Sequence, residues 1–162
     1  MSNTATVSYS WNVKGLQPKI EAKQNKRERQ TFFGCVDTAS GKVIVKRAER
    51  GNAKTFKIFL VKIIHEFKGK KIILVLDNVR YHHAKLLKPF LENNKDKLEL
   101  IFLPPYSPDM NPMERVWWYM RKKITHNRAV ESLKMRIKKF WQMFSYFTKP
   151  NQEIVKLCNI TF

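Results

Sequence analysis

Apolar side chains recur along this chain in helical, alternating and continuous runs. Phe56, Phe59, Leu60, Ile63, Ile64 and Phe67 stand at i, i+3, i+4, i+7, i+8 and i+11, which places them on one helical stripe. Asn52 sits where an N-cap belongs and Gly69 where the helix must stop, so a helix is predicted between them. Residues 7–11 (VSYSW) and 30–36 read as strands, and VIVKRA from Val43 as another. The segment DTASGK between the last two supplies turn residues, which makes that pair a hairpin. Residues 14–29 are polar and basic, contain Gly15 and Pro18, and are expected to form an exposed loop.

Downstream the rhythm changes. Ile72 to Leu76 is an unbroken apolar run of five residues ending at Asp77, which predicts a strand buried on both faces, as parallel sheets require. A helix is predicted over about 83–93, with Leu87, Phe90 and Leu91 inward, followed by a short strand in LELIFLP. Strand, crossover helix and strand make a βαβ unit, so the expected fold is α/β, with an antiparallel hairpin joined to parallel strands in a mixed sheet flanked by helices. Met113, Val116, Trp117, Met120 and Ile124 then fall at helical spacing behind the proline-rich loop PPYSPDMNP. A last long helix is predicted over about 130–147, with Val130, Leu133, Ile137, Phe140, Trp141 and Phe144 on one stripe. Residues 1–150 are expected to form one domain, and residues 151–162 a short amphipathic C-terminal tail.

Composition narrows the function classes. At 162 residues with 43% apolar content the chain suffices for a domain with a real core. Lys and Arg number 32 against 13 Asp and Glu, a formal charge of +19 spread through the folded segments. Such an excess repels itself unless a polyanion lies nearby, so nucleic acid is the leading partner; a merely solvating basic surface is the bland alternative. Cys35 and Cys158 form no C-x-x-C pattern, which suggests neither a zinc site nor a disulfide framework, and fits a reducing cytosol. No apolar run is long enough to span a bilayer and no signal-peptide core is evident, so a protein of the cytoplasm with no membrane attachment is expected.

The candidate chemistry lies in two carboxylates. Asp77 stands at the carboxyl end of a parallel strand, where open α/β sheets place their ligand crevices. Taken alone, Asp77 or Asn78 also reads as a turn or cap residue. Glu114 follows Asn111 and Pro112 in a capping-box arrangement that local structure alone explains. Yet the stiff loop returns the chain to the edge where Asp77 stands, which aims Glu114 towards it. Two carboxylates meeting in a basic protein suggest a hard cation, Mg²⁺ or Mn²⁺, between them. Such a site suits phosphodiester chemistry, with Lys and Arg holding the nucleic-acid backbone. His82 and His83 can contact a phosphate or orient Asp77, although adjacent histidines point in different directions. Trp117 belongs to the core stripe; Trp118 shares the face of Glu114 at i+4 and is open to a groove, where aromatic residues beside Arg115, Arg121 and Lys122 can stack on bases.

The stretches VLDNVRYHHAK and IFLPPYSPDMNPMERVWWYMRKKITHNR resemble the catalytic domain of mariner-type insertion-sequence transposases, the DDE enzymes with an RNase H-like fold. The resemblance runs from about Tyr9 to Arg128. It implies that Asp77 is the second and Glu114 the third catalytic metal-binding carboxylate of a two-metal site, and that Asp109 holds the loop. It further implies cleavage of transposon ends, strand transfer into target DNA, and a homodimer within a synaptic complex, in the bacterial cytosol and nucleoid. The family's first Asp belongs on a strand upstream of YSWNVKG, and no acidic residue precedes Glu21 here. Asp37 lies in the hairpin turn, an ordinary place for Asp. The expectation is therefore a catalytic domain whose upstream part is supplied in cis or by frameshift fusion, with weak metal binding when Asp77 and Glu114 act alone. The alternative is a non-catalytic nucleic-acid-binding RNase H-like module from a decayed element.

Overall fold

The computed structural model describes residues 29–105, 107–124 and 132–159. The strand expected at 7–11, the loop expected at 14–29 except its last residue, and Val130 lie outside the described residues. Strands β1 (Thr31–Val36) and β2 (Val43–Ala48) pair antiparallel, Thr31 opposite Ala48 and Val36 opposite Val43. Asp37 closes their turn: its carboxylate accepts from Ala39 N–H at 3.1 Å and from the Ser40 hydroxyl at 2.6 Å, while Gly41 takes a positive φ of 71°. The Ser40 hydroxyl, more than any other group, holds the Asp37 carboxyl below its ordinary pKa. Asp37 thus has the turn role that its position implies.

Helix α1 (Ala53–Glu66) begins at Asn52, whose side chain accepts from Thr55 N–H while the Thr55 hydroxyl accepts from Asn52 N–H. It ends before Gly69, which sits at φ 83°. Phe56, Phe59, Leu60 and Ile63 are buried; full burial of a side chain such as Leu60 contributes about 1.5–3 kcal/mol. This stripe is the common floor of both strand pairs, packing against Phe33, Cys35 and Ile44 of the hairpin and against Leu76 and Leu98 downstream.

Strands β3 (Ile72–Leu76) and β4 (Leu98–Phe102) pair in parallel, Ile72 opposite Leu98 and Leu76 opposite Phe102. Their even-numbered residues pack towards α1. The odd face is open, with Ile73 59% and Val75 45% exposed. The expectation of a strand buried on both faces is corrected here: among the described residues no layer covers that second face. With the antiparallel hairpin β1–β2, this parallel pair gives the two kinds of pairing that the sequence predicts. Strands β1 and β3 border the same cleft of about 400 Å³, lined on one side by Phe32 to Val36 and on the other by Ile73 to Asp77.

The helix expected at 83–93 is broken. Single 3-10 turns cover Arg80–His83 and Lys85–Leu87, and only α2 (Lys88–Glu92) is α-helical. Pro89 lies at its start, where its missing N–H costs nothing; within a longer helix the same residue would remove a bond and clash with the preceding turn. Leu87 is nevertheless buried and Phe90 and Leu91 pack beside it, as their spacing implied.

Beyond the proline loop, α3 (Pro112–Ile124) buries Met113, Val116, Met120 and Ile124 against the other face of the hairpin. Helix α4 (Leu133–Phe144) starts later than expected because Ser132 caps it, its hydroxyl accepting from Met135 N–H at 3.3 Å. Phe140 and Phe144 are buried with Val43 and Val45. Arg136, only 2% exposed, is an addition that the apolar stripe did not reveal. The expected tail contains α5 (Gln152–Cys158), whose Ile154 and Cys158 lie in this same core. Residues 152–158 thus pack into the same core as α3 and α4.

Candidate active site

Asp77 follows directly on β3, whose final rung is Leu103 N–H donating to Leu76 O at 2.8 Å. Glu114 occupies the first turn of α3. The loop between β4 and α3 delivers it: Asn111 stops the loop by accepting from Met113 N–H at 3.0 Å through its side chain and from Glu114 N–H at 3.0 Å through its carbonyl. Pro112 then supplies a first helical residue with φ already set. As the chain path implies, both carboxylates reach one cleft of about 470 Å³, walled by Asn78, Pro104, Pro105, Ser107 and Asn111. Both also border the cleft between β1 and β3.

The two acids are exposed, and neither is consumed by the fold. Asp77 is 60% exposed; its nearest described partner is His82, with Nδ1 3.5 Å from Oδ1. Among the described residues the Glu114 side chain makes no hydrogen bond or ion pair, so the capping box available to it is not closed. Other oxygen groups in the wall are engaged: Asn78 Oδ1 meets His83 Nε2, Asn111 Oδ1 caps α3, and the Ser107 hydroxyl donates to Pro105 O at 3.4 Å. Two unsatisfied carboxylates in a chain of charge +19 form an all-oxygen donor set suited to a hard cation. No group of three His, Cys, Asp or Glu residues able to hold a metal occurs among the described residues. A hard cation with few protein ligands keeps positions open for water and for phosphate oxygens.

The remaining expected site residues divide. His82 is buried, 6% exposed, with its ring 4.2 Å from that of Phe56. Burial holds its pKa below the ordinary histidine value, outweighing the opposing pull of the Asp77 carbonyl and carboxylate. The imidazole is neutral at pH 7, and its contact with Asp77 is a polar contact rather than an ion pair. His83 is exposed and lies against Phe102 with ring centroids 4.2 Å apart. Arg115 turns inward: its guanidinium donates to Asn159 O at 2.9 Å and reaches Leu157 O and Asp109 O at 3.5 Å, tying the end of α5 and the proline loop to α3. Asp109 enters through this backbone carbonyl.

Trp118 is half exposed, with Lys122 Nζ 5.2 Å above its ring. Arg121 and Lys122 are both exposed on α3. Trp118 and Lys122 present a cationic, aromatic surface one turn and two turns beyond Glu114. Asn78, Ser107 and Asn111 are wall residues that the candidate set omitted. Asn111 was legible as a cap; the part of Asn78 rests on a contact with His83 that periodicity does not show.

The family model described as DDE superfamily endonuclease matches residues 1–135. A curated relative, the uncharacterized 39 kDa protein of insertion element IS630 from Shigella sonnei, is 27% identical over 138 residues, which cover 82% of this chain and 38% of the relative. The protein y4pE/y4sA of Sinorhizobium fredii is 40% identical over 60 residues, 37% of this chain and 41% of its own length. The chain thus spans about two fifths of these relatives. Among solved structures, Mos1 transposase in a paired-end complex with the left transposon end superposes with a TM-score of 0.67 at 18% identity, covering 96% of this chain and 47% of that one. The catalytic domain of Mos1 mariner transposase gives 0.60 at 18% identity, covering 82% and 68%. At that identity the likeness establishes the fold, which is RNase H-like.

Proposed function

The chain belongs to the DDE superfamily endonuclease family, and from that premise we propose that it acts in the metal-dependent cleavage and strand transfer of transposon DNA. One observation carries the reading: Asp77 and Glu114, brought from a strand end and a helix start, stand exposed in one cleft, and among the described residues only His82 approaches either carboxylate. These two side chains would hold the divalent cation, Mg²⁺ or Mn²⁺. Bound there, such an ion lowers the pKa of water and neutralises charge on a phosphodiester; a pair of ions stabilises both the attacking and the leaving oxygen. A two-metal arrangement calls for a further carboxylate from outside the described residues.

The protein's own part is placement. Asn111 and Pro112 fix the first turn of α3 and hence Glu114. Trp118, Arg121 and Lys122 continue along α3 and would hold the strand beside the cleft, by stacking and by phosphate contacts. His82 and His83 serve this placement from behind Asp77. We further propose that transposon ends and target are the DNA partners, that two copies meet in a synaptic complex, that upstream transposase sequence joins in cis or by frameshift fusion, and that the setting is the bacterial cytosol. No helix among the described residues is long and apolar enough to cross a membrane.

The test is nicking of supercoiled DNA by the purified chain in Mn²⁺, beside Asp77→Ala and Glu114→Ala. Cleavage that both substitutions abolish supports the enzyme. DNA binding without cleavage supports the second reading, a binding module, which the presence of two carboxylates and no third among the described residues of the cleft favours. Cleavage that survives both substitutions removes Asp77 and Glu114 from the mechanism.

A further inference from the structure

Strand β3 ends at Leu76, one residue before the Asp77 carboxylate. Leu76 O is paired with Leu103 N–H, and Asp77 follows just outside the strand. The chain then turns, closed by His82 N–H donating to Val79 O at 2.9 Å. The side chain of His82 folds back into that turn. Its Nδ1 lies 3.0 Å from Asp77 O and 3.5 Å from Asp77 Oδ1. A carbonyl oxygen only accepts, so Nδ1 must carry the proton. The donor is held in place: the ring is 6% exposed and wedged between Phe56, with centroids 4.2 Å apart, and Tyr81, at 4.5 Å. The next residue repeats the spacing, His83 Nε2 meeting Asn78 Oδ1 with its ring on Phe102. Two successive residues after β3 are thus each met by the histidine five positions later.

We infer that His82 is a positioning residue, whose Nδ1–H ties down the Asp77 carbonyl and so sets the backbone and carboxylate of Asp77 for a divalent cation. The inference rests on the reading of Asp77 as a metal carboxylate given above. A carboxylate that is 60% exposed has room to rotate, and partners behind a ligand are what fix its orientation. A histidine that merely fills space would need its ring and not its donor, so the two roles separate by substitution. His82→Phe keeps an aromatic ring between Phe56 and Tyr81 without the donor. His82→Asn places an amide N–H near the position of Nδ1 and gives up ring packing.

The experiment is Mn²⁺ titration of the full chain, followed by electron paramagnetic resonance, for the native protein, both His82 variants and Asp77→Asn, with unfolding midpoints measured alongside. Asp77→Asn should lose Mn²⁺ binding. His82→Phe should weaken it about 10–100-fold, while His82→Asn keeps most of the affinity despite an equal or lower unfolding midpoint. If Asp77→Asn weakens binding and His82→Phe does not, or if the two His82 variants lose affinity in step with stability, the positioning role is overturned and the metal assignment stands. If Asp77→Asn changes nothing, the metal assignment itself fails and the inference with it. In the native chain, nitrogen NMR should show the Nδ1–H tautomer of His82; the Nε2–H tautomer overturns the inference without any variant.

Discussion

Gly34 lies on β1 where the indole of Trp117 crosses the strand, and replacing it with alanine tests how closely α3 is held to the hairpin. An alanine Cβ at position 34 would stand 2.4 Å from Trp117 Cζ2 and 2.6 Å from Met113 Cε. Carbon atoms in good contact sit about 3.5–4.0 Å apart, so each contact is roughly an ångström too short. Met113 can swing its terminal methyl away. Trp117 is less free, because its ring is nearly parallel to that of Phe140, at 6.1 Å and 26°. Overpacking of this kind costs about 1–3 kcal/mol, which for a domain of this size lowers Tm by roughly 2–12 °C. Urea and thermal unfolding of Gly34→Ala, Trp117→Phe and the double variant give the assay. Trp117→Phe removes the ring atoms nearest position 34, so the double variant should be more stable than the sum of the single losses predicts. Gly69→Ala is the contrast: its φ is +83° with no atom within 4 Å of the new Cβ, so it should cost about 1 kcal/mol from backbone strain alone and show no coupling to Trp117. Strictly additive losses at positions 34 and 117, or an unchanged Gly34→Ala, would refute the claim that this glycine sets the approach of α3.

The Tyr119 hydroxyl donates to Glu153 Oε1 at 2.7 Å, and this bond, followed by burial, pushes its pKa up to about 12. A tyrosine raised in the folded state stabilises fully below its unfolded value of about 10 and loses that contribution as pH climbs towards 12; alkaline unfolding of the native chain should therefore contain a component in that window that Tyr119→Phe lacks. Arg115 braces α5 rather than facing outward, so Arg115→Gln should lower stability by about 1–3 kcal/mol by denaturant titration, with little change in DNA affinity. Lys122→Ala should do the reverse, reducing the salt slope of DNA binding by about 1 where the side chain meets a phosphate.

The elements with strong periodicity were legible in the sequence because their pattern and their packing coincide. The stripe of α1 and the Asn52 cap are instances, and so is the series Met113, Val116, Met120 and Ile124 of α3. The run Ile72 to Leu76 misled because five consecutive apolar residues cannot say whether both faces are covered; Ile73 and Val75 face outward. The region after β3 was read as one helix because Leu87, Phe90 and Leu91 have the right spacing, yet Pro89 restricts the α-helix to the residues around it. At the candidate site, the meeting of Asp77 and Glu114 followed from topology: a strand end and a loop returning to the same edge. The inward turn of Arg115 was not legible, since its carbonyl partners lie 42 and 44 residues away. The histidines were legible as a pair that cannot point the same way, and the structure adds what each one holds.

The seating of α5 bears on how far this chain can be trimmed. Ile154, fully buried, and Cys158 enter the core that Val43 and Val45 of the hairpin share with α3, and the Arg115 guanidinium grips the carbonyl of Asn159 just past the helix. A chain cut after Pro150 would leave that seat empty and expose apolar surface on α3 and the hairpin, at about 1.5–3 kcal/mol for each large side chain withdrawn. Residues that look like a dispensable tail are thus a poor place for a deletion or a fusion joint.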